Sequence, residues 1–208
     1  MLSFTKKELK FLKSLKNPLK IQDFLDTFEF NFEEKGQTIK SPVLSLREKN
    51  IHCLEGAILA AYILKIHGHK PLILHLQATK DDWDHIIALY KIDGLWGALS
   101  KTNHYTLRYR EPVYRDVREL VMSYFHEYFL NSNGEKTLRA YSVPLDLDKL
   151  KINWVGDEED LWIIDDKLDE IKHYAVIENK AVKRLRKADI IERTAGELVE
   201  YKNHKKIL

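Results

Sequence analysis

The sequence predicts an α+β fold in which a buried helix packs on an antiparallel sheet, with further helices on the flanks. Three observations carry this expectation. Residues 50–68 form a stretch that is apolar almost all round, the pattern of a helix enclosed by protein. Pro71 to Ala78 and His85 to Tyr90 are short apolar runs of strand length. Asp93-Gly94 then separates the second run from Leu95–Leu99, and that dipeptide is a strong hairpin signal.

The elements follow in chain order. Leu9, Phe11, Leu12, Leu15, Leu19, Phe24, Leu25 and Phe28 fall near helical spacing, and Asn17-Pro18 interrupts them, so two short helices are expected. A polar connection leads to Pro42. Asn50 is expected to cap the buried helix. Ala57, Ala60, Ala61 and Leu64 make a small-residue stripe on it, with Cys53 at the N-terminal end and Gly68 as the stop. A polar turn, Thr79 to Asp84, joins the two strands. Tyr105 to Arg110 alternates as a further strand would, and Val113 to Phe129 has a helical pattern ended by Asn133-Gly134. Leu138 to Trp154 reads as irregular or short-stranded, and Asp157 to Ile171 as acidic segments around Leu161-Trp-Ile-Ile164. The last 35 residues read as charged helix. The whole chain, 1–208, is expected to be one domain.

Composition narrows the function classes. Apolar residues make up 44%, enough for a sizeable core. The 34 basic residues nearly balance the 32 acidic ones, so no global charge draws the chain to nucleic acid or anionic lipid. The basic run Lys180 to Lys187 is read as a solvated helix face. No segment approaches the ~20 apolar residues that span a bilayer. The N-terminus lacks the apolar core of a signal peptide and reads as an amphipathic helix. A single cysteine excludes an internal disulfide framework and a multi-cysteine zinc site. The expectation is a soluble cytoplasmic protein with no nucleic-acid partner, no membrane partner, no metal and no cofactor. Its oligomeric state is not legible. His126-Glu127 does not open a zinc motif, because the second histidine would fall on Leu130. Phosphate loops and the G-x-S-x-G elbow are also absent from the sequence. Arg108, Arg110 and Arg115 with Glu111 are read as surface ion pairs, with the lining of a binding cleft as the alternative, and Asp81, Asp82 and Asp84 as a solvated acidic loop, with a cation site as the alternative.

A free cysteine, taken alone, is usually a small core residue. Cys53 differs by position. In the first turn of a helix, unpaired N–H groups and the helix dipole favour a thiolate. A nucleophile also needs a base within hydrogen-bond reach. The chain has nine histidines, so proximity alone distinguishes none of them. His52 is expected to point to a different side of the helix, and His67, His69 and His104 flank turns or element ends. His75, inside an apolar strand, reads as a satisfied core residue, and His85 opens a strand directly after the acidic turn.

Cys53-x-x-Gly56-Ala57, followed by Ala61, Leu64 and Gly68-x-x-Pro71, resembles the nucleophile helix of transglutaminase-like, papain-type domains. In that family a strand, a variable loop and a strand opening with the catalytic histidine come next. His85 matches that position, and Asp84 and Ile86 to Tyr90 fit around it. Gly94-Leu-Trp96 matches the glycine–tryptophan that precedes the last triad position. The resemblance covers residues 45–105. It implies a papain/transglutaminase-like core, with Cys53 and His85 as a catalytic pair and Asp84 and Trp96 lining the site. The chemistry it implies is thiol-dependent acyl transfer or hydrolysis, with a peptide or a small amide or ester as substrate. The family places an aspartate four residues after the tryptophan, where this chain has Ser100. A hydroxyl orients an imidazole but brings no charge.

If Asp93-Gly94 is a two-residue turn, His85 lies opposite Thr102 with Ser100 diagonally near on the same face. A bulge or longer loop would bring Asn103 to that face instead. Ser100 is the first choice as third member and Asn103 the alternative. The missing carboxylate leaves two functional outcomes, an active thiol or a non-catalytic binding protein on the same fold.

Overall fold

The computed structural model describes residues 1–201. Two short helices open the chain. The first, α1 (Lys6–Leu12), starts in a capping box of Thr5 and Glu8, and α2 (Pro18–Asp26) is capped by the Asn17 side chain with Pro18 in its first turn. A short β1 (Glu29–Phe30) precedes α3 (Pro42–Glu48), β2 (Asn50–Ile51) and the long α4 (Cys53–Ile66). The central strands are β3 (Leu72–Gln77), β4 (His85–Ile92), β5 (Leu95–Leu99) and β6 (Arg110–Tyr114). The rest comprises α5 (Val117–Tyr124), β7 (Ala140–Ser142), β8 (Leu145–Asp146), α6 (Trp162–Glu170), β9 (His173–Ala175), α7 (Asn179–Val182) and α8 (Ile190–Gly196).

The architecture is α+β. The main sheet is antiparallel, in the order β6-β5-β4-β3-β7-β9, with β8 also pairing β3. Alternation along its strands sends side chains to two apolar layers. Ile73, Ile86, Ala88, Tyr90 and Leu99 face α4, meeting Ile58, Ala60, Ala61 and Leu64. Leu74, Leu76, Ile87, Leu89 and Ala98 face α5, meeting Leu120, Val121 and Tyr124. Helix α4 is buried on nearly every side, as its uniformly apolar sequence requires.

The hairpin between β4 and β5 has two turn residues, with Ile92 paired to Leu95. Asp93 and Gly94 both take positive φ, 51° and 83°, the backbone of the tight turn that matches strand twist. Gly56 fixes how closely α4 approaches the far end of this hairpin. A Cβ added there would stand 2.6 Å from the Cβ of Lys101, so only glycine allows this packing.

Local pattern gave way to pairing in several places. Asn50 does not cap α4. It pairs with Glu29 in a parallel β1–β2 contact that holds the chain extended through Ile51, and His52 becomes the cap. The strand expected over Tyr105 to Arg110 begins only at Arg110, because β6 takes its register from β5. The same pairing removes the first residues from the helix expected at Val113, and the Asp116 side chain then starts α5. The C-terminal stretch is not one charged helix. It contains β9 and two short helices, and the basic run leaves α7 after Val182; residues 202–208 of that expectation lie outside the described part. Among the described residues no helix is long and apolar enough to cross a membrane.

Candidate functional site

Cys53 is the first residue of α4, and its neighbour His52 is the helix cap. The thiol is half-buried. Burial pushes it up, but hydrogen bonds with His52 and His85 and the charge of both rings outweigh burial and bring it down to about 5. The expectation that His52 points away from Cys53 is therefore corrected. As the cap it has extended backbone, which turns its ring back over the first helical turn. Its Nε2 donates to the Thr38 carbonyl at 2.8 Å. Its Nδ1 accepts Leu54 N–H at 3.3 Å when the ring is neutral, and donates toward the thiolate when the ring is charged. Burial lowers the His52 pKa, but the hydrogen bond with Cys53, the negative charges of Cys53 and Glu55, and the Thr38 carbonyl raise it to about 9.

Beneath His52 lies Glu55, whose side chain is fully buried. Its Oε1 accepts from Thr38 Oγ1 at 2.8 Å and Lys40 N at 3.1 Å. Its Oε2 accepts from Asn31 Nδ2 at 3.3 Å and His52 N at 3.0 Å. Two donors on each oxygen is the bonding pattern of a carboxylate. Lys40 Nζ stands 3.7 Å from Oε2.

His85 is the first residue of β4 and is buried. Extending the β4–β5 register by three pairs sets it opposite Thr102, and Ser100 comes to the diagonal position on the same face. His85 Nε2 and Ser100 Oγ are 2.7 Å apart, and Ser100 Oγ is 2.5 Å from the Leu107 carbonyl. The protons follow. A carbonyl only accepts, so the single hydroxyl proton goes to Leu107. The serine oxygen must then accept from His85 Nε2–H, so Nδ1 is the nitrogen left for the thiol: a lone pair in the neutral ring, a donor in the charged ring that draws the thiol down.

Ser100 is gripped on its main chain as well. Gln22 Nε2 donates to the Ser100 carbonyl at 2.8 Å, and Gln22 Oε1 accepts Ser100 N–H at 3.0 Å. Sequence reasoning missed both Gln22 and Glu55. The signal available for each was a polar residue on an otherwise apolar helix face.

The other expected site residues lie elsewhere. The Asn103 amide is committed to the C-terminal segment, donating to the Tyr201 carbonyl and accepting Tyr201 N–H, each at 2.8 Å. It is therefore not oriented on His85. Trp96 is near the hairpin turn, four residues from Ser100 and so ~13 Å along the strand; its ring lies 4.5 Å from Lys91 Nζ. Asp84 faces His75 rather than the thiol, with Oδ2 2.8 Å from His75 Nε2 and Oδ1 accepting Ala78 N–H at 2.7 Å. The far side of His75 meets His173 at 3.1 Å, and His173 Nδ1 meets the Ile171 carbonyl at 2.8 Å. Asp82 accepts from Thr137 Oγ1. Among the described residues no group of three or more His, Cys, Asp or Glu side chains is arranged to hold a metal ion.

A scan of protein-family models finds no match to this sequence, and a search of curated proteins finds none.

Proposed function

We propose that this chain is a thiol-dependent acyl-transfer enzyme or hydrolase acting at an amide or ester carbonyl, on a papain/transglutaminase-like core. Cys53 is the nucleophile, and His85, oriented by Ser100, is its partner. The observation that carries the reading is the forced proton order Leu107 carbonyl, Ser100 hydroxyl, His85 Nε2–H. It leaves the other imidazole nitrogen, Nδ1, for Cys53, whose thiol is already drawn toward the thiolate. The thiolate attacks the carbonyl carbon and the amine or alcohol leaves, giving a thioester. Water or an amine then resolves it. The first-turn N–H groups of α4 supply the positive end on which an oxyanion would form.

A second reading, a binding protein on the same fold, is favoured by one observation. Ser100 gives His85 a neutral partner where an acid would stabilise its charged form.

The test is the rate of Cys53 alkylation by iodoacetamide against pH. The enzyme reading expects an apparent pKa near 5, and acetylation of Cys53 by p-nitrophenyl acetate that disappears in Cys53→Ser. An apparent pKa at the free-thiol value of about 8.5 sinks the enzyme reading. A low pKa with neither an acetyl adduct nor Cys53-dependent release of p-nitrophenolate supports the binding protein.

A further inference from the structure

We propose that His52, and not His85, carries the positive charge beside the Cys53 thiolate, so that His52 is the acid that protonates the leaving group and His85 the neutral base that activates the acyl acceptor. This rests on the reading of Cys53 as nucleophile.

The argument is where the anions are. His52 Nε2 already holds a proton, because it donates to the Thr38 carbonyl at 2.8 Å. Two carboxylate oxygens stand close to that nitrogen, Glu55 Oε1 at 3.7 Å and Glu33 Oε1 at 3.8 Å. Glu55 is fully buried, so water screens it little. Nε2 being committed to Thr38, a second proton goes to Nδ1, the nitrogen left for the interaction with Cys53. The acid missing at the third position on the His85 side is present, in duplicate, on the His52 side. Among the described residues no carboxylate lies within 4.0 Å of a His85 ring nitrogen, and its Nε2 partner is the neutral Ser100 hydroxyl.

Three effects oppose this. His85 also hydrogen-bonds Cys53, and its ring when charged draws the thiol down as well; the neutral Ser100 partner is what disfavours that charge. Lys40 Nζ shares Glu55, at 3.7 Å from Oε2, although it is nearer to Glu48, at 3.2 Å. Protonating Nδ1 also gives up the Leu54 N–H contact, which at 3.3 Å is long and weak. A charge-assisted bond to the thiolate replaces it. Asp165, on α6, also interacts electrostatically with His52 and adds negative charge on that side.

The steps balance. In the resting pair the Cys53 S–H proton is on His52 Nδ1. The thiolate forms the C–S bond while the carbonyl π pair moves to oxygen. When C=O re-forms, the C–N bond breaks and the nitrogen takes the His52 proton, leaving a thioester and a neutral His52. A water molecule then gives one proton to His85 Nδ1 as its oxygen bonds to the carbonyl carbon. C–S cleavage returns the thiolate and releases the carboxylic acid. The His85 proton passes through the thiol back to His52.

The test compares wild type with His52→Asn and His85→Gln, each full-length and checked for folding by circular dichroism. Asparagine is used because it caps helices well, so α4 keeps its start. Alkylation by iodoacetamide should show the Cys53 apparent pKa rising by ~2 units or more in His52→Asn and by less than ~1 in His85→Gln, toward the free-thiol value of about 8.5. With p-nitrophenyl acetate, whose leaving group needs no proton, His85→Gln should accumulate the acetyl adduct in intact-protein mass spectra. A larger or equal pKa rise in His85→Gln overturns the assignment while leaving Cys53 as nucleophile. So does release of the acetyl group at the wild-type rate. An ordinary thiol pKa in the wild type overturns the nucleophile reading itself.

Discussion

Gln22 holds the main chain of Ser100 from both sides, donating to its carbonyl at 2.8 Å and accepting its N–H at 3.0 Å. A helix near the N-terminus thus sets the position of a residue 78 positions later in the sequence. Both Ser100 groups are buried, and removing the amide orphans a donor and an acceptor. Gln22→Leu should destabilise the fold by about 2–4 kcal/mol, from two unsatisfied groups at roughly 1–2 each. Urea unfolding measures it, and a loss under about 1 kcal/mol would mean water replaces the amide.

Ser100 and Asn103 separate cleanly by mutation. Ser100→Ala removes the acceptor for His85 Nε2–H, freeing the ring to change tautomer. Release of the acetyl group from Cys53 acetylated by p-nitrophenyl acetate should slow ~10-fold or more, because His85 is the base for that step. Asn103→Ala loses only the bonds to Tyr201 and should leave acetyl release within about 2-fold. The reverse ranking would return Asn103 to the third position.

Gly56→Ala puts two effects in competition. In an exposed helix the change stabilises by about 1 kcal/mol. Here the new Cβ meets the Lys101 Cβ at 2.6 Å, and neither is the tip of a flexible side chain. Overpacking of this kind costs about 1–3 kcal/mol, so net destabilisation is expected. The start of α4 would also move from the end of β5, and Cys53 alkylation at pH 7 should slow with it. A rise in melting temperature would show that α4 shifts freely.

Asp84 links pH to stability. Burial pushes its carboxyl up, but hydrogen bonds from His75 and Ala78 N–H outweigh burial and hold it below its ordinary value of 3.8. The folded state therefore binds this proton less readily than the unfolded chain does. Its stabilisation is fully present above 3.8 and fades as pH falls through the lower folded value. The carboxylate is 42% exposed, so solvent screening limits the contribution to roughly 1 kcal/mol. Asp84→Asn should lower the melting temperature at pH 6 and converge on wild type in acid. A gap that widens toward low pH contradicts this.

The hairpin was fully legible in the sequence. Asp93-Gly94 fixed a two-residue turn, and the period of two then carried His85 and Ser100 to one face. The buried helix was legible from its apolar circumference, with Cys53 in its first turn. These are local properties, in which the chemistry of neighbouring residues dictates the backbone. The cap of α4 was not local. Asn50 is the better capping residue by type, yet pairing with Glu29 holds it in a strand and gives the cap to His52. The extent of β6 and the start of α5 likewise depend on which edge of β5 is free.

The sequence by itself determined a buried helix, a hairpin and a single cysteine at a helix start, because turn geometry and periodicity act over a few residues. Only the tertiary structure decided which groups surround the thiol. His52 turns inward, Gln22 grips Ser100, Asn103 is taken by Tyr201, and His75 meets His173 across 98 positions. The physical reason is that a hydrogen bond needs two partners within about 3 Å. Which distant residues come that close is settled by how the layers pack, and the spacing of residues along the chain does not contain it.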